Sequence, residues 1–138
     1  MRILLILLLA SCSHFRVSDE QLASLTPQEC RSYGVNVQDD DQISGTIVHH
    51  EFGTLAKMER KCLDGHSHTI QIHGCAKAAN VPMKIFPSIT GEYEVYYSDA
   101  LCISRHEACH ALYELGDGYH TVAFNLRQMQ GDSLAACP

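Results

Sequence analysis

The apolar positions of the chain change their spacing several times, and each change marks an element. Ile3 to Ala10 is an unbroken apolar run behind Met1 and Arg2, far shorter than the roughly 18–20 residues that span a bilayer. Residues 13–42 show no sustained period and read as a tether and irregular N-terminal arm, with a short helix at Ser18–Leu25 ended by Thr26-Pro27. From Ile43 to His50 the run ISGTIVHH is β-branched enough for a strand. Thr54 can then cap a short helix with Leu55, Met58 and Cys62 on one face. The alternative there is a second strand, closed into a hairpin by Asp64-Gly65.

The second half is more regular. His68–Gly74 alternates, with His68, Ile70 and Ile72 on one face and Thr69, Gln71 and His73 on the other. A loop with Val81-Pro82 and Phe86-Pro87 leads to Gly91–Tyr97, where Tyr93, Val95 and Tyr97 oppose Glu92 and Glu94. A helix follows, capped by Ser98-Asp99 and ended at Gly116, with Leu101, Ala108, Leu112 and Leu115 as its packing stripe. Thr121–Gln130 predicts a last helix with Val122, Leu126 and Met129 turned inward, stopped by Gly131. This order implies an α+β domain whose antiparallel or mixed sheet has three or four strands. No internal repeat or low-complexity tract appears, and the roughly 126 residues after Cys12 suit one domain with one core.

Charge and cysteine content narrow the setting. The chain carries 10 Lys+Arg against 16 Asp+Glu; without the segment before Cys12, which holds Arg2, the balance is 9 against 16, a formal charge of −7. That balance, with no large basic cluster, argues against a nucleic-acid partner. Asp39-Asp40-Asp41 reads as a solvated loop. Setting Cys12 aside leaves six cysteines, Cys30, Cys62, Cys75, Cys102, Cys109 and Cys137. An even set in an exported chain predicts up to three disulfides, with 15 possible pairings. Within one regular helix Cys102 and Cys109 stand about 10 Å apart along the axis, too far to bridge each other. Cys30 is placed to pin the arm and Cys137 to staple the tail.

The chemistry concentrates in CISRHEACHALYELGDGYH, Cys102 to His120. His106 and His110 are one helical turn apart, so both imidazoles can reach one metal ion. Glu107 is one residue round: offset too far to be a ligand, close enough to hold a metal-bound water. Beyond the turn at Gly116-Asp117-Gly118, His120 offers a third imidazole, with Asp117 or Glu114 as fallback. Tyr113 and Tyr119 are candidate oxyanion or rim residues, although packing explains each tyrosine as well. The plain alternative is an amphipathic helix whose polar face happens to carry two His and a Glu. His49, His50, His66, His68 and His73 are scattered near turns and read as solvated rather than as a second metal surface.

His106-Glu107-Ala108-Cys109-His110 resembles the H-E-x-x-H helix of the zincin metallopeptidases. The resemblance implies a zincin-like domain over 43–138, with the sheet packed on the motif helix. It implies zinc held by His106, His110 and His120, with Glu107 as general base for peptide-bond hydrolysis. It also makes Glu92–Tyr97 a candidate edge strand for an extended peptide. The metzincin variant does not fit, because Glu114 stands where its third His would be. Leu9-Ala10-Ser11-Cys12 resembles the lipobox of bacterial lipoproteins. That resemblance implies a signal peptide over 1–12, a lipid on Cys12, and a chain held at the envelope membrane, in the outer membrane of a Gram-negative host. An ordinary cleaved signal peptide is the alternative. The implied partner is a peptide or protein substrate, cell-wall peptide included. The rival reading is a disulfide-stapled envelope module without catalysis, keeping zinc only as structure.

Overall fold

The computed structural model describes residues 24–63, 72–79, 88–98 and 101–138. The apolar leader with Cys12, the Ser18–Leu25 helix up to residue 23, the Asp64-Gly65 turn, His66, His68 and the proline-containing loop lie outside the described residues. In chain order the elements are α1 (Pro27–Ser32), β1 (Thr46–Phe52), α2 (Leu55–Leu63), β2 (Gly74–Ala78), β3 (Glu92–Tyr97), α3 (Leu101–Tyr113) and α4 (Val122–Met129). The three described strands form a mixed sheet of order β1-β3-β2, with β1 parallel and β2 antiparallel to β3. The α+β class and the mixed sheet are therefore as the sequence predicts.

Helix α3 is the axis of the domain. On one side Ile103 and Ala111 pack against Ala76, Ala78, Tyr93, Val95 and Tyr97 of the sheet. On the other, Ala108, Cys109, Leu112 and Tyr113 pack against Leu25, Cys30, Val35 and Val37. A helix buried on both sides needs small residues where backbones approach, and Ser104, Ala108, Cys109 and Ala111 supply them. Of the predicted stripe, Ala108 and Leu112 are core and Leu115 packs on it, while the side chain of Leu101 lies outside the described set. Helix α2 covers the opposite face of the sheet through Met58, Cys62, Cys75 and Tyr96, and Thr54 accepts from the Lys57 amide as its cap.

Six cysteines pair as Cys30–Cys109, Cys62–Cys75 and Cys102–Cys137. The first ties the N-terminal arm to the middle of α3, the second α2 to β2, and the third the tail to the start of α3. Three bridges are compatible with an oxidising, exported setting. No helix among the described residues is long and apolar enough to cross a membrane.

Several local expectations are corrected. Thr26-Pro27 begins a helix, which the sequence reading did not expect: Thr26 accepts from the Glu29 amide, and Pro27 occupies a first-turn position that has no use for an N–H. Ser98, expected as the cap of α3, donates through both its amide and its hydroxyl to the His73 carbonyl, and Asp99 lies outside the described residues. The helix ends at Glu114 rather than Gly116, with Glu114 at φ 53 and the Leu115 amide donating back to the His110 carbonyl. Of the strand expected at His68–Gly74, residues 68–71 lie outside the described residues; the described strand runs Gly74–Ala78, and its GCAKA sequence is too small in side chain to announce itself. Glu92–Tyr97 is the centre of the sheet and not an edge. Its backbone is paired on both sides and has no room for an added peptide strand.

The last helix also departs from expectation. Val122, Leu126 and Met129 are 75%, 54% and 84% exposed, and Phe124 is the buried residue of α4. Gly131 does stop it, at φ 74.

Gly74 is where β2 and α3 meet most closely. A Cβ there would stand 2.8 Å from the Tyr96 carbonyl oxygen, 3.0 Å from Ile103 Cγ2 and 3.1 Å from Glu107 Cγ. Gly74→Ala is expected to cost about 1–3 kcal/mol in denaturant unfolding, the range for overpacking. Replacing Cys30 and Cys109 together by Ser is expected to cost roughly 2–5 kcal/mol in the same measurement.

Candidate metal centre

The two histidines of α3 are aimed by backbone carbonyls. His106 Nδ1 donates to the Tyr33 carbonyl at 2.6 Å, and His110 Nδ1 donates to the Leu115 carbonyl at 2.5 Å. A carbonyl can only accept, so both rings carry a proton on Nδ1, and each ring in its neutral form presents Nε2 as a lone pair. This is the usual outer-shell arrangement of a metal-binding imidazole. Leu115 can serve because the left-handed residue at Glu114 turns the chain back over the last turn of α3.

His120 arrives from the other direction. After a 3-10 turn at Asp117–Tyr119 the chain pairs with a strap formed by residues 33–36. Val35 and His120 make an isolated antiparallel bridge, Asn36 N donates to the Tyr119 carbonyl at 2.6 Å, and Thr121 N to the Gly34 carbonyl at 2.9 Å. The strap that aims His106 therefore also sets the position of His120. Cys30, at the base of the strap, is bonded to Cys109, the neighbour of His110.

The result is a convergent trio. His110 Nε2 lies 3.2 Å from His106 Nε2 and 3.0 Å from His120 Nε2. Three nitrogens bound tetrahedrally to zinc at about 2.0–2.1 Å stand about 3.3 Å from one another, so these separations fit one ion at the centre. His106, His110 and His120 are the one group of three metal-ligating side chains found among the described residues, with their donor atoms within 4.8 Å of one another. His106 and His110 are buried and His120 half-buried. The ring of Phe124 lies against His106 (centroids 4.6 Å apart, planes 20° apart) and His120 (4.3 Å, 37°).

The other predicted site residues fall differently. Glu107 is buried on the β2 side of α3, where its Cγ would lie 3.1 Å from a Cβ at Gly74, and it is outside the metal-ligating group. Glu114, a fallback ligand, instead accepts from the Tyr93 hydroxyl at 2.8 Å. Burial pushes Tyr93 up to about 12, with the Glu114 carboxylate adding to the effect, so it remains a donor across the working range. Asp117 is exposed in the 3-10 turn and outside the metal-ligating group. Tyr113 cannot serve an oxyanion, because its buried hydroxyl donates to the Leu25 carbonyl at 2.8 Å and burial raises its pKa. Tyr119 is 53% exposed at the rim. His49 faces Glu51 and Tyr96 on the other face of the sheet, and neither it, His50 nor His73 joins the trio.

Sequence reasoning missed Tyr33, Gly34, Leu115 and Phe124. The first and third act through backbone carbonyls, which leave no residue-type signal. No family model, no curated protein and no solved structure matches this chain.

Titration of the oxidised chain with zinc or cobalt(II) is expected to show one ion bound per chain. His110→Ala removes the imidazole common to both short N–N separations and is expected to weaken binding by more than roughly 100-fold, beyond the usual outer-shell cost.

Proposed function

We propose that the protein is a small exported zinc metallopeptidase, with zinc held by His106, His110 and His120 and Glu107 as the general base. The observation that carries this reading is the convergence of three imidazole nitrogens on a helix that reads His-Glu-Ala-Cys-His. The described residues bring three donors together, and three protein donors rather than four is the count of hydrolytic as against purely structural zinc sites. Zinc bound there supplies a Lewis acid for the scissile carbonyl and brings the pKa of water towards roughly 7.

The remaining steps belong to the chain. Glu107 accepts the proton of the attacking water and returns it to the leaving amine, so the carboxylate ends each cycle as it began. Its place on α3, one residue round from His106, sets it beside the ligand set rather than within it. Tyr33 and Leu115 hold the rings of His106 and His110 against rotation while charge develops. The substrate class is peptide or protein, and a cell-wall peptide bond calls for the same chemistry. Lipid on Cys12 would keep the domain at the envelope membrane.

One observation favours a second reading. The imidazoles are largely buried against Phe124, as in a closed site, and a non-catalytic envelope module with structural zinc would look similar.

The two readings separate on Glu107→Gln. The variant is expected to keep its zinc while cleavage of casein or cross-linked cell-wall peptide falls by roughly 10²–10⁴-fold. Equal cleavage by variant and wild type would remove Glu107 from the mechanism. Stoichiometric zinc with no cleavage by the wild type would select the structural reading.

A further inference from the structure

Helix α4 is turned the wrong way for its own hydrophobicity. Val122, Leu126 and Met129 form one stripe at i, i+4 and i+7, yet all three face solvent. Phe124, on the opposite side, is the residue turned inward. Burying a large apolar side chain is worth roughly 1.5–3 kcal/mol, so burial alone would favour the stripe over the single ring. Something other than bulk hydrophobicity sets the rotation of this helix.

Two contacts account for it. Thr121 N is bonded to the Gly34 carbonyl and Thr121 caps the helix through the Phe124 amide, which fixes the phase of the first turn. The ring of Phe124 then fits between the strap and the metal-binding rings. On the strap side Gly34, at φ +90, leaves the space: a Cβ there would lie 2.7 Å from Phe124 Cδ2. On the other side the ring lies along His106 and His120, whose planes are 25° apart, while His110 stands edge-on to both. One phenyl ring therefore touches two of the three ligands, one from α3 and one from the strap-paired turn.

We propose that Phe124 is a positioning residue of the metal centre, an aromatic wall that holds the planes of His106 and His120 for the ion. An imidazole gives up electron density when it binds a cation, and the face of a phenyl ring stabilises such a ring more than a neutral one. The contact therefore favours the loaded over the empty site, which an aliphatic side chain of similar bulk does not do. Gly34 belongs to the same device, because any side chain there displaces the wall. The inference rests on the metal reading above but not on catalysis.

The test is cobalt(II) titration of the full disulfide-bonded chain by visible absorption, for wild type, Phe124→Leu and Phe124→Tyr, with melting of each metal-free chain alongside. Phe124→Leu keeps an apolar filling but loses the flat face. It is expected to bind cobalt roughly 10–100-fold more weakly, the usual cost of losing an outer-shell partner, and to shift the ligand-field bands. Phe124→Tyr is expected to restore both. If Phe124→Leu does not fold, Phe124→Met, unbranched and of similar volume, takes its place with the same expected loss. An aliphatic variant with the affinity and bands of the wild type would reduce Phe124 to core packing and overturn the inference. A wild type that takes no cobalt would instead overturn the metal reading beneath it.

Discussion

Two backbone carbonyls, those of Tyr33 and Leu115, decide which nitrogen of each motif imidazole faces the centre. A ring nitrogen that donates to a carbonyl must carry a proton, which in the neutral imidazole leaves the other nitrogen as a lone pair. Each carbonyl is placed by a structural device some distance from the ligand. Tyr33 sits at the end of α1, held by the Cys30–Cys109 bridge, and Leu115 follows the left-handed turn at Glu114. The centre is thus fixed by backbone geometry and one covalent link, not by long polar side chains. Such a frame loses little entropy when an ion arrives.

The same strap couples the three imidazoles. Its Tyr33 carbonyl aims His106, its Val35 bridge positions His120, and its disulfide ends beside His110. Helix α3 cannot shift to relieve any of these contacts, because it is packed on both sides and closed at its end. Ser44 and Gly45 amides both donate to the Leu112 carbonyl, and Glu114 is held by the buried Tyr93. A site on a rigid element with supported ligands is what precise coordination requires. The fold supplies the rigidity, and the strap supplies the third donor.

Much of this was legible before any coordinates. The His106–His110 spacing placed two ligands on one helix face, and the turn at Gly116–Gly118 brought His120 back to them. The alternation of Tyr93, Val95 and Tyr97 identified the face of β3 that meets α3. What sequence could not show follows from physics that leaves no residue-type mark. Carbonyl acceptors are common to every residue, so Tyr33 and Leu115 were invisible. On the side of β2 that meets α3 stand Gly74, Ala76 and Ala78, and at Gly74 the helix approaches too closely for any side chain, so the usual β-branched strand signal was missing. Glu92–Tyr97 was an edge candidate only through the zincin resemblance, and the alternation of Glu92 and Glu94 with apolar residues could not correct it. That pattern reports a face and says nothing about how many neighbours a strand has. The inward side of α4 departs from the periodicity because helical periodicity assumes that the larger apolar stripe wins, and here one aromatic ring packed against His106 and His120 prevailed.

The central claim is that three imidazoles, and no thiolate, hold one ion. X-ray absorption at the zinc edge of the loaded chain addresses it directly. The account predicts a first shell of nitrogen and oxygen donors at about 2.0–2.1 Å with the outer-shell scattering of three imidazole rings. Sulfur at about 2.3 Å, or scattering from one imidazole or none, would contradict it.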